Sequence, residues 1–177
     1  MKGLTKYFLA PALLLLSGCS ETVNIPAVTG FDAGRYMGTW YEIARLPNRF
    51  EKGMTEVSAE YSLRPDGGIK VVNSGMKDGE KRSVTGVAYP AGRKGEGLLK
   101  VSFFRPFYGA YRIIKLSPDY RYSVVTGSGM SYLWILARDR ELPRRELEEI
   151  MAFLRAHRFA VKDLLWSWRP AETSASE

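Results

Sequence analysis

Between Thr55 and Leu63 apolar and polar residues alternate: Val57, Ala59, Tyr61 and Leu63 share one side, Glu56, Ser58, Glu60 and Ser62 the other. That period of two predicts a strand with one buried face. Similar short runs, each closed by turn residues, predict further strands at 38–46, 69–74, 83–89, 98–104, 108–116, 120–126 and 131–138. The breaks between them carry Pro47, Pro65-Asp66-Gly67-Gly68, Lys77-Asp78-Gly79, Pro90-Ala91-Gly92, Arg105-Pro106, Ser117-Pro118-Asp119 and Gly127-Ser128-Gly129. The first run, Gly38 to Leu46, does not alternate cleanly, as expected if one side faces an interior and another element covers the other. Eight strands at roughly ten-residue spacing predict an all-β, up-and-down antiparallel sheet, and closing it into an eight-stranded β-barrel removes its edges. A sandwich is the alternative, but the chain has few of the long connections that a Greek key requires.

Two stretches depart from this period. Phe31 to Tyr36 fits one helical turn capped by Asp32. After Pro143, Leu147, Ile150, Met151 and Leu154 fall on one helical face, with Glu146, Glu148 and Glu149 early and Arg155, His157 and Arg158 late, matching the helix dipole. This amphipathic helix is expected outside the barrel, covering strand residues that would otherwise be apolar and solvated. Val161 to Trp168 predicts a short ninth strand, and 170–177 a disordered polar tail.

The N-terminus changes the starting point. Lys2 and Lys6 precede an apolar run from Tyr7 to Leu16, too short to span a bilayer as a permanent helix, and Leu16-Ser17-Gly18-Cys19 follows. This resembles the bacterial lipobox, in which the thiol is acylated and becomes the new N-terminus. It implies a signal peptide at 1–18, a lipidated tether at 19–29 reaching roughly 30 Å when extended, a domain at 30–169 and the tail. Losing Lys2 and Lys6 takes the formal charge from +7 to +5. Cys19 is the sole cysteine, so no disulfide, cysteine metal site or thiol nucleophile is available. An exported, acylated protein meets membranes, so nucleic acid is excluded as a partner. Ser20 stands where an aspartate would resemble the inner-membrane retention signal, which points to the inner leaflet of the outer membrane, reached through acylated Cys19.

Gly38-Thr39-Trp40 at the head of the first strand resembles the G-x-W signature of the lipocalins. Asp119-Tyr120, before the seventh strand, partly matches that family's second motif, with Pro118 where threonine is usual. Arg138, ending the eighth strand, matches the third. Topology offers an independent check, because in an up-and-down barrel these three positions fall at the same end. Together with Phe103-Phe104-Arg105-Pro106-Phe107-Tyr108-Gly109 and Tyr132-Leu133-Trp134-Ile135-Leu136, they make the chain most similar to the bacterial outer-membrane lipoprotein lipocalins. The resemblance implies that Arg138 covers Trp40 in a cation–π arrangement. It also implies a lipid-binding protein that holds or transports fatty acids or lysophospholipids, facing the periplasm, with a role in membrane maintenance under stress.

If Trp40 plugs one end, the loops at 47–55, 76–80, 105–109 and 127–130 ring the other. They bring Arg49, Phe50, Lys77, Arg105, Phe107 and Tyr108 to the mouth, where the cations would hold a carboxylate or phosphate. Parity nominates Tyr61, Phe103, Tyr111, Ile113, Val124 and Trp134 as cavity wall. A tyrosine-rich wall favours a hollow over a packed core, since each hydroxyl needs a partner. Catalytic chemistry is poorly supplied. The single histidine, His157, sits near a helix end, no G-x-S-x-G, H-E-x-x-H or P-loop pattern occurs, and no cofactor or metal ligand set is evident. Glu42 reads as a paired structural acid and is the one carboxylate worth inspecting. Two other readings stand beside lipid binding. One is an interaction or assembly lipoprotein with a filled barrel, including a homodimer if the aromatic rim forms a patch of several hundred Å². The other is an esterase or isomerase of small lipids, which lacks a nucleophile–base pair.

Overall fold

A computed structural model describes residues 24–167. The expected signal peptide at 1–18, Cys19 and the expected tail at 170–177 lie outside the described residues. A one-turn helix, α1 (Ala33–Tyr36), opens the domain, its start fixed by the Asp32 carboxylate, which accepts from Gly34 N at 2.7 Å and Arg35 N at 3.3 Å. Eight strands follow: β1 (Gly38–Arg45), β2 (Thr55–Leu63), β3 (Ile69–Lys77), β4 (Glu80–Pro90), β5 (Leu98–Phe104), β6 (Phe107–Leu116), β7 (Tyr122–Thr126) and β8 (Leu133–Ala137). Each pairs antiparallel with the next, and β1 closes the ring by pairing with both β8 and β2. The sheet is therefore a closed up-and-down barrel, not a sandwich.

The strand limits differ from expectation where turn chemistry is tighter than the composition suggests. β3 and β4 run on to Lys77 and Glu80 because Asp78 and Gly79, at φ 52° and 78°, make a two-residue turn whose twist matches the strands it joins. Conversely β7 starts at Tyr122, because Ser117 Oγ accepts from Arg121 N at 2.7 Å and Tyr122 N at 3.1 Å and holds the preceding residues in a turn, with Tyr120 at φ 62°. The expected ninth strand is shorter. Val161–Asp163 forms a 3₁₀ turn and only Leu165–Trp166 (β9) pairs, against Ala44 and Arg45.

Two apolar clusters share the wall. Inside lie Tyr36, Trp40, Tyr61, Val71, Leu99, Ile113 and Val125. Outside, α2 (Arg144–Ala156) lays Ile150 and Leu154 over Ile43, Ala44, Ile114, Val124 and Ile135, as its pattern predicts. Lys115 Nζ reaches Glu149 on the helix at 2.7 Å. Register shifts in β1 between Glu42 and Ala44, and in β6 between Ile113 and Lys115, explain why these strands lack clean alternation. The β6 bulge puts two consecutive residues, Ile114 and Lys115, on the outer face opposite Val124, while Ile113, paired with Val125, joins the inner cluster.

Part of the expected tether belongs to the fold. Ile25 and Ala27 are buried, Val28 N donates to Ile113 O at 2.9 Å, and Arg112 Nη1 donates to Ile25 O at 3.0 Å. This fastens the segment to β6 from Ile25 onward.

Candidate functional site

At the closed end the polar groups of Trp40, Arg138 and Tyr120 all meet partners. Trp40 is fully buried and its indole N–H donates to Tyr36 O at 2.8 Å. The Arg138 guanidinium lies 4.0 Å over the Trp40 ring, as the motif implies, and donates to the carbonyls of Thr39 (2.9 Å), Arg35 (2.8 Å) and Tyr120 (3.3 Å). The Asp119-Tyr120 turn joins this plug despite Pro118. Tyr120 Oη accepts from Asp32 N at 2.8 Å, Arg35 stacks 4.1 Å over the Tyr120 ring, and Pro118 supplies a carbonyl to Arg35 at 3.0 Å.

Above the plug, Tyr111 Oη lies 2.8 Å from Tyr36 Oη and 3.1 Å from Tyr61 Oη, and Tyr36 donates on to Ser123 Oγ at 3.1 Å. Burial pushes the Tyr36 phenol up to about 12 and raises Tyr61 and Tyr111 as well, so all three stay neutral. This corrects the expectation that buried tyrosines signal a hollow. Their hydroxyls satisfy one another and form a hydrogen-bonded floor.

Between that floor and the mouth lies a cavity of about 100 Å³. Four residues nominated from parity line it: Tyr61, Phe103, Tyr111 and Trp134. Two do not. Ile113 is packed into the inner core without reaching the cavity. Val124 lies on the outer face under α2, because β7 pairs Val124 with Ile135 of the outer cluster and Val125 with the cavity-lining Trp134. The wall is completed by Val57, Ala59, Val71, Leu99, Val101 and Leu136, among others. The alternation through Tyr61 and Phe103, carried back along β2 and β5, would have found four of these. Gly86 makes room for the Phe103 ring, whose Cδ1 would stand 2.6 Å from a Cβ placed there.

The mouth residues separate in the same way. Phe50 is 67% exposed, takes Arg49 over its ring at 5.0 Å, and leads inward through Tyr132 (6.3 Å) to Trp134 (6.2 Å). Arg105 stands in the exposed turn between β5 and β6, flanked by Phe104 and Phe107. Tyr108 is turned away from the cavity. Its ring lies 5.3 Å from Lys100, which alternates with the cavity-lining Leu99 and Val101 and so sits on the outer face.

Among the cavity-lining residues the charged ones are Glu42 and Glu51. Glu42 is 1% exposed. Its Oε1 accepts from Arg45 Nη1 at 2.5 Å and from Ser167 Oγ, while its Oε2 has no partner. Arg45 is consumed by this arrangement. It also donates to Ser167 Oγ at 3.2 Å and to the carbonyls of Glu51 (2.9 Å) and Met54 (3.0 Å). Glu51 accepts from Trp134 Nε1 at 3.0 Å and Asn48 Nδ2 at 2.6 Å. Burial, reinforced by the Glu51 charge and opposed by Arg45, pushes the Glu42 carboxyl up to about 7. Ser167 reaches Glu42 because the chain after β9 closes the seam between β1 and β2, with Ser167 N on Ile43 O and Glu56 N on Ser167 O. The sequence offers no signal for that closure. His157 caps α2, its Nδ1 2.8 Å from Phe153 O, away from the cavity.

A closed eight-stranded barrel with a tryptophan–arginine plug at one end and a cavity toward the other defines the class. The chain belongs to the lipocalin family, whose model, described as Lipocalin-like domain, matches residues 31–169. It is 42% identical over 166 residues to the outer membrane lipoprotein Blc of Escherichia coli K12, covering 91% of this chain and 94% of that protein. It is 35% identical to temperature-induced lipocalin-1 of Arabidopsis thaliana over 75% of this chain and 76% of that one. Among solved structures, insecticyanin from the tobacco hornworm Manduca sexta superposes with a TM-score of 0.69 at 20% identity, covering 86% and 88% of the two chains.

Proposed function

We propose that this protein is an outer-membrane lipoprotein that holds or carries single-chain lipids, fatty acids or lysophospholipids, on the periplasmic side and without catalysis. The observation that carries the reading is the apolar cavity between the tyrosine floor and the mouth of a lipocalin barrel. At about 100 Å³ it falls below the roughly 300–1,000 Å³ of sites that enclose a drug-sized molecule. That size favours one methylene chain over two, with the remainder of the ligand at the rim. Each methylene withdrawn from water contributes about 0.8 kcal/mol. Arg49 and Arg105, at the exposed end, suit an anionic head group left outside. The name outer membrane lipoprotein carried by the Escherichia coli relative, together with the leader ending at Cys19, supports anchoring in the outer membrane.

The test is to produce the full chain with Cys19→Ser, so that no anchor is attached, and to identify the lipids that co-purify by mass spectrometry. Bound single-chain species are expected. A protein that emerges empty, and whose tryptophan fluorescence ignores added fatty acid, contradicts the reading. One observation favours a second one. Phe104 and Phe107 are 82% and 75% exposed beside the mouth, a surface suited to an interaction or assembly role, including pairing of two copies. An empty barrel that self-associates through these residues is the result that reading requires.

A further inference from the structure

The cavity wall carries acceptors that the fold leaves unused. Besides Glu42 Oε2, Asn73 Oδ1 on β3 is buried without a partner. Both residues line the cavity. They stand on either side of β2: Asn73 pairs with Ala59, Ala59 pairs with Trp40, and Glu42 is two residues further toward the mouth from Trp40 on the same inner face. The β2 side chains on the inner face between these strands, Val57 and Ala59, are apolar and line the same cavity, so neither supplies a donor to the two acceptors. A buried polar atom without a partner costs free energy, and two on one small cavity define a place where something else supplies the donors.

What that something is follows from the groups around it. Among the described residues no lysine or arginine lines the cavity. All four terminal-nitrogen bonds of Arg45 go to Glu42, Ser167, Glu51 and Met54, and its Nε, which makes no hydrogen bond, is ion-paired with the Glu51 carboxylate at 3.7 Å. The Trp134 indole N–H is taken by Glu51. Below, the tyrosine hydroxyls are engaged with one another and with Ser123. An anion entering this space meets the Glu42 and Glu51 carboxylates and Asn73 Oδ1, with no lysine or arginine of the described residues on the wall.

We propose that Glu42 and Asn73 form a donor-accepting subsite inside the barrel that selects single-chain lipids bearing a hydroxyl or ammonium next to the chain and keeps carboxylates at the rim. This rests on the single-chain-lipid reading above and names the polar chemistry of the same cavity. In mildly alkaline buffer Glu42 is ionised and can only accept, which is the condition for the test.

The experiment uses the full chain with Cys19→Ser, loaded with an uncharged naphthylamine dye, and measures displacement by decanol, its methyl ether, decanoate and decylamine. The ether keeps the chain and an acceptor oxygen but donates nothing, so it separates hydrogen bonding from hydrophobicity. Decanol is expected to displace the dye about tenfold more effectively than the ether, the worth of one or two recovered hydrogen bonds. Asn73→Leu, which leaves the Arg45 network untouched, is expected to shrink that ratio at least threefold, about the worth of one net hydrogen bond, with the ether unchanged. Glu42→Gln, which adds an N–H donor to the wall, should admit decanoate better than the parent does. If decylamine outperforms decanol and loses its advantage in Asn73→Leu, the subsite stands and its occupant is an ammonium. Equal displacement by all four compounds, unchanged in Asn73→Leu, overturns the subsite while the single-chain reading survives. Failure of every compound to displace a bound dye, with no tryptophan quenching on direct addition, overturns both.

Discussion

The two ends of this barrel solve the problem of buried polar groups in opposite ways. At the closed end the Trp40 indole, three tyrosine hydroxyls and the Arg138 guanidinium are all matched to partners within the chain. Toward the mouth, Glu42 Oε2 and Asn73 Oδ1 go unmatched and Phe50, Phe104 and Phe107 face water. The first arrangement stabilises. The second costs stability and leaves polar atoms free, and under the proposed function the closed end serves folding and the open end binding.

That division is open to attack from either side. The largest effect is expected at the plug. Trp40→Ala removes the central side chain of the inner cluster and should cost about 3–5 kcal/mol in urea unfolding. Arg138→Lys comes next. A lysine ammonium cannot reproduce the flat contact with the Trp40 ring together with bonds to three carbonyls, and a loss of about 1–2 kcal/mol is expected, with lipid affinity unchanged. A fall in affinity with no fall in stability would reverse the assignment of that end.

Glu42 then sharpens the comparison through pH. Its carboxyl titrates near 7 in the fold and near the ordinary carboxylate value when unfolded, so the folded state binds the extra proton. The stability it contributes is therefore present below the unfolded value and is lost as pH rises through the folded one. The groups facing it are Arg45 and Ser167, bonded to it, and Glu51 across the Arg45 side chain. Melting temperature should fall between mildly acidic and mildly alkaline buffer, and Glu42→Gln should flatten that slope. The smallest effect on folding is expected at the rim. Phe104→Ser with Phe107→Ser should change stability by no more than about 0.5 kcal/mol each, since neither side chain is buried. A stability loss comparable to that of Trp40→Ala would mean that the rim is part of the core.

Much of this was legible before any coordinates. The alternation through β2 and β5, the cap at Asp32 and the apolar face of α2 all act within a few residues, where propensity and periodicity decide. The tryptophan–arginine plug was also readable, because the lipocalin motifs single out Trp40, Asp119-Tyr120 and Arg138 and strand order brings those positions to one end. Reading failed where the backbone slips by a residue. Ile113 faces inward as parity gives but stays in the packed core, the β6 bulge turns both Ile114 and Lys115 outward, and Val124 faces the helix because register, not hydrophobicity, sets its side. Tyr108 is as aromatic as Tyr111, yet it packs on Lys100 outside.

From the chain alone came the closed sheet and its outer helix, which follow from local pattern and chain order, and the plugged end, which the lipocalin motifs imply. Only the tertiary structure decided which polar atoms go unpaired. Glu42 and Arg45 are three residues apart, but their third partner, Ser167, arrives from the far end of the chain, and Asn73 comes to share a cavity with Glu42 only once β2 is zipped between β1 and β3. Satisfaction of a hydrogen bond is a property of position in space, and no spacing along the sequence encodes it.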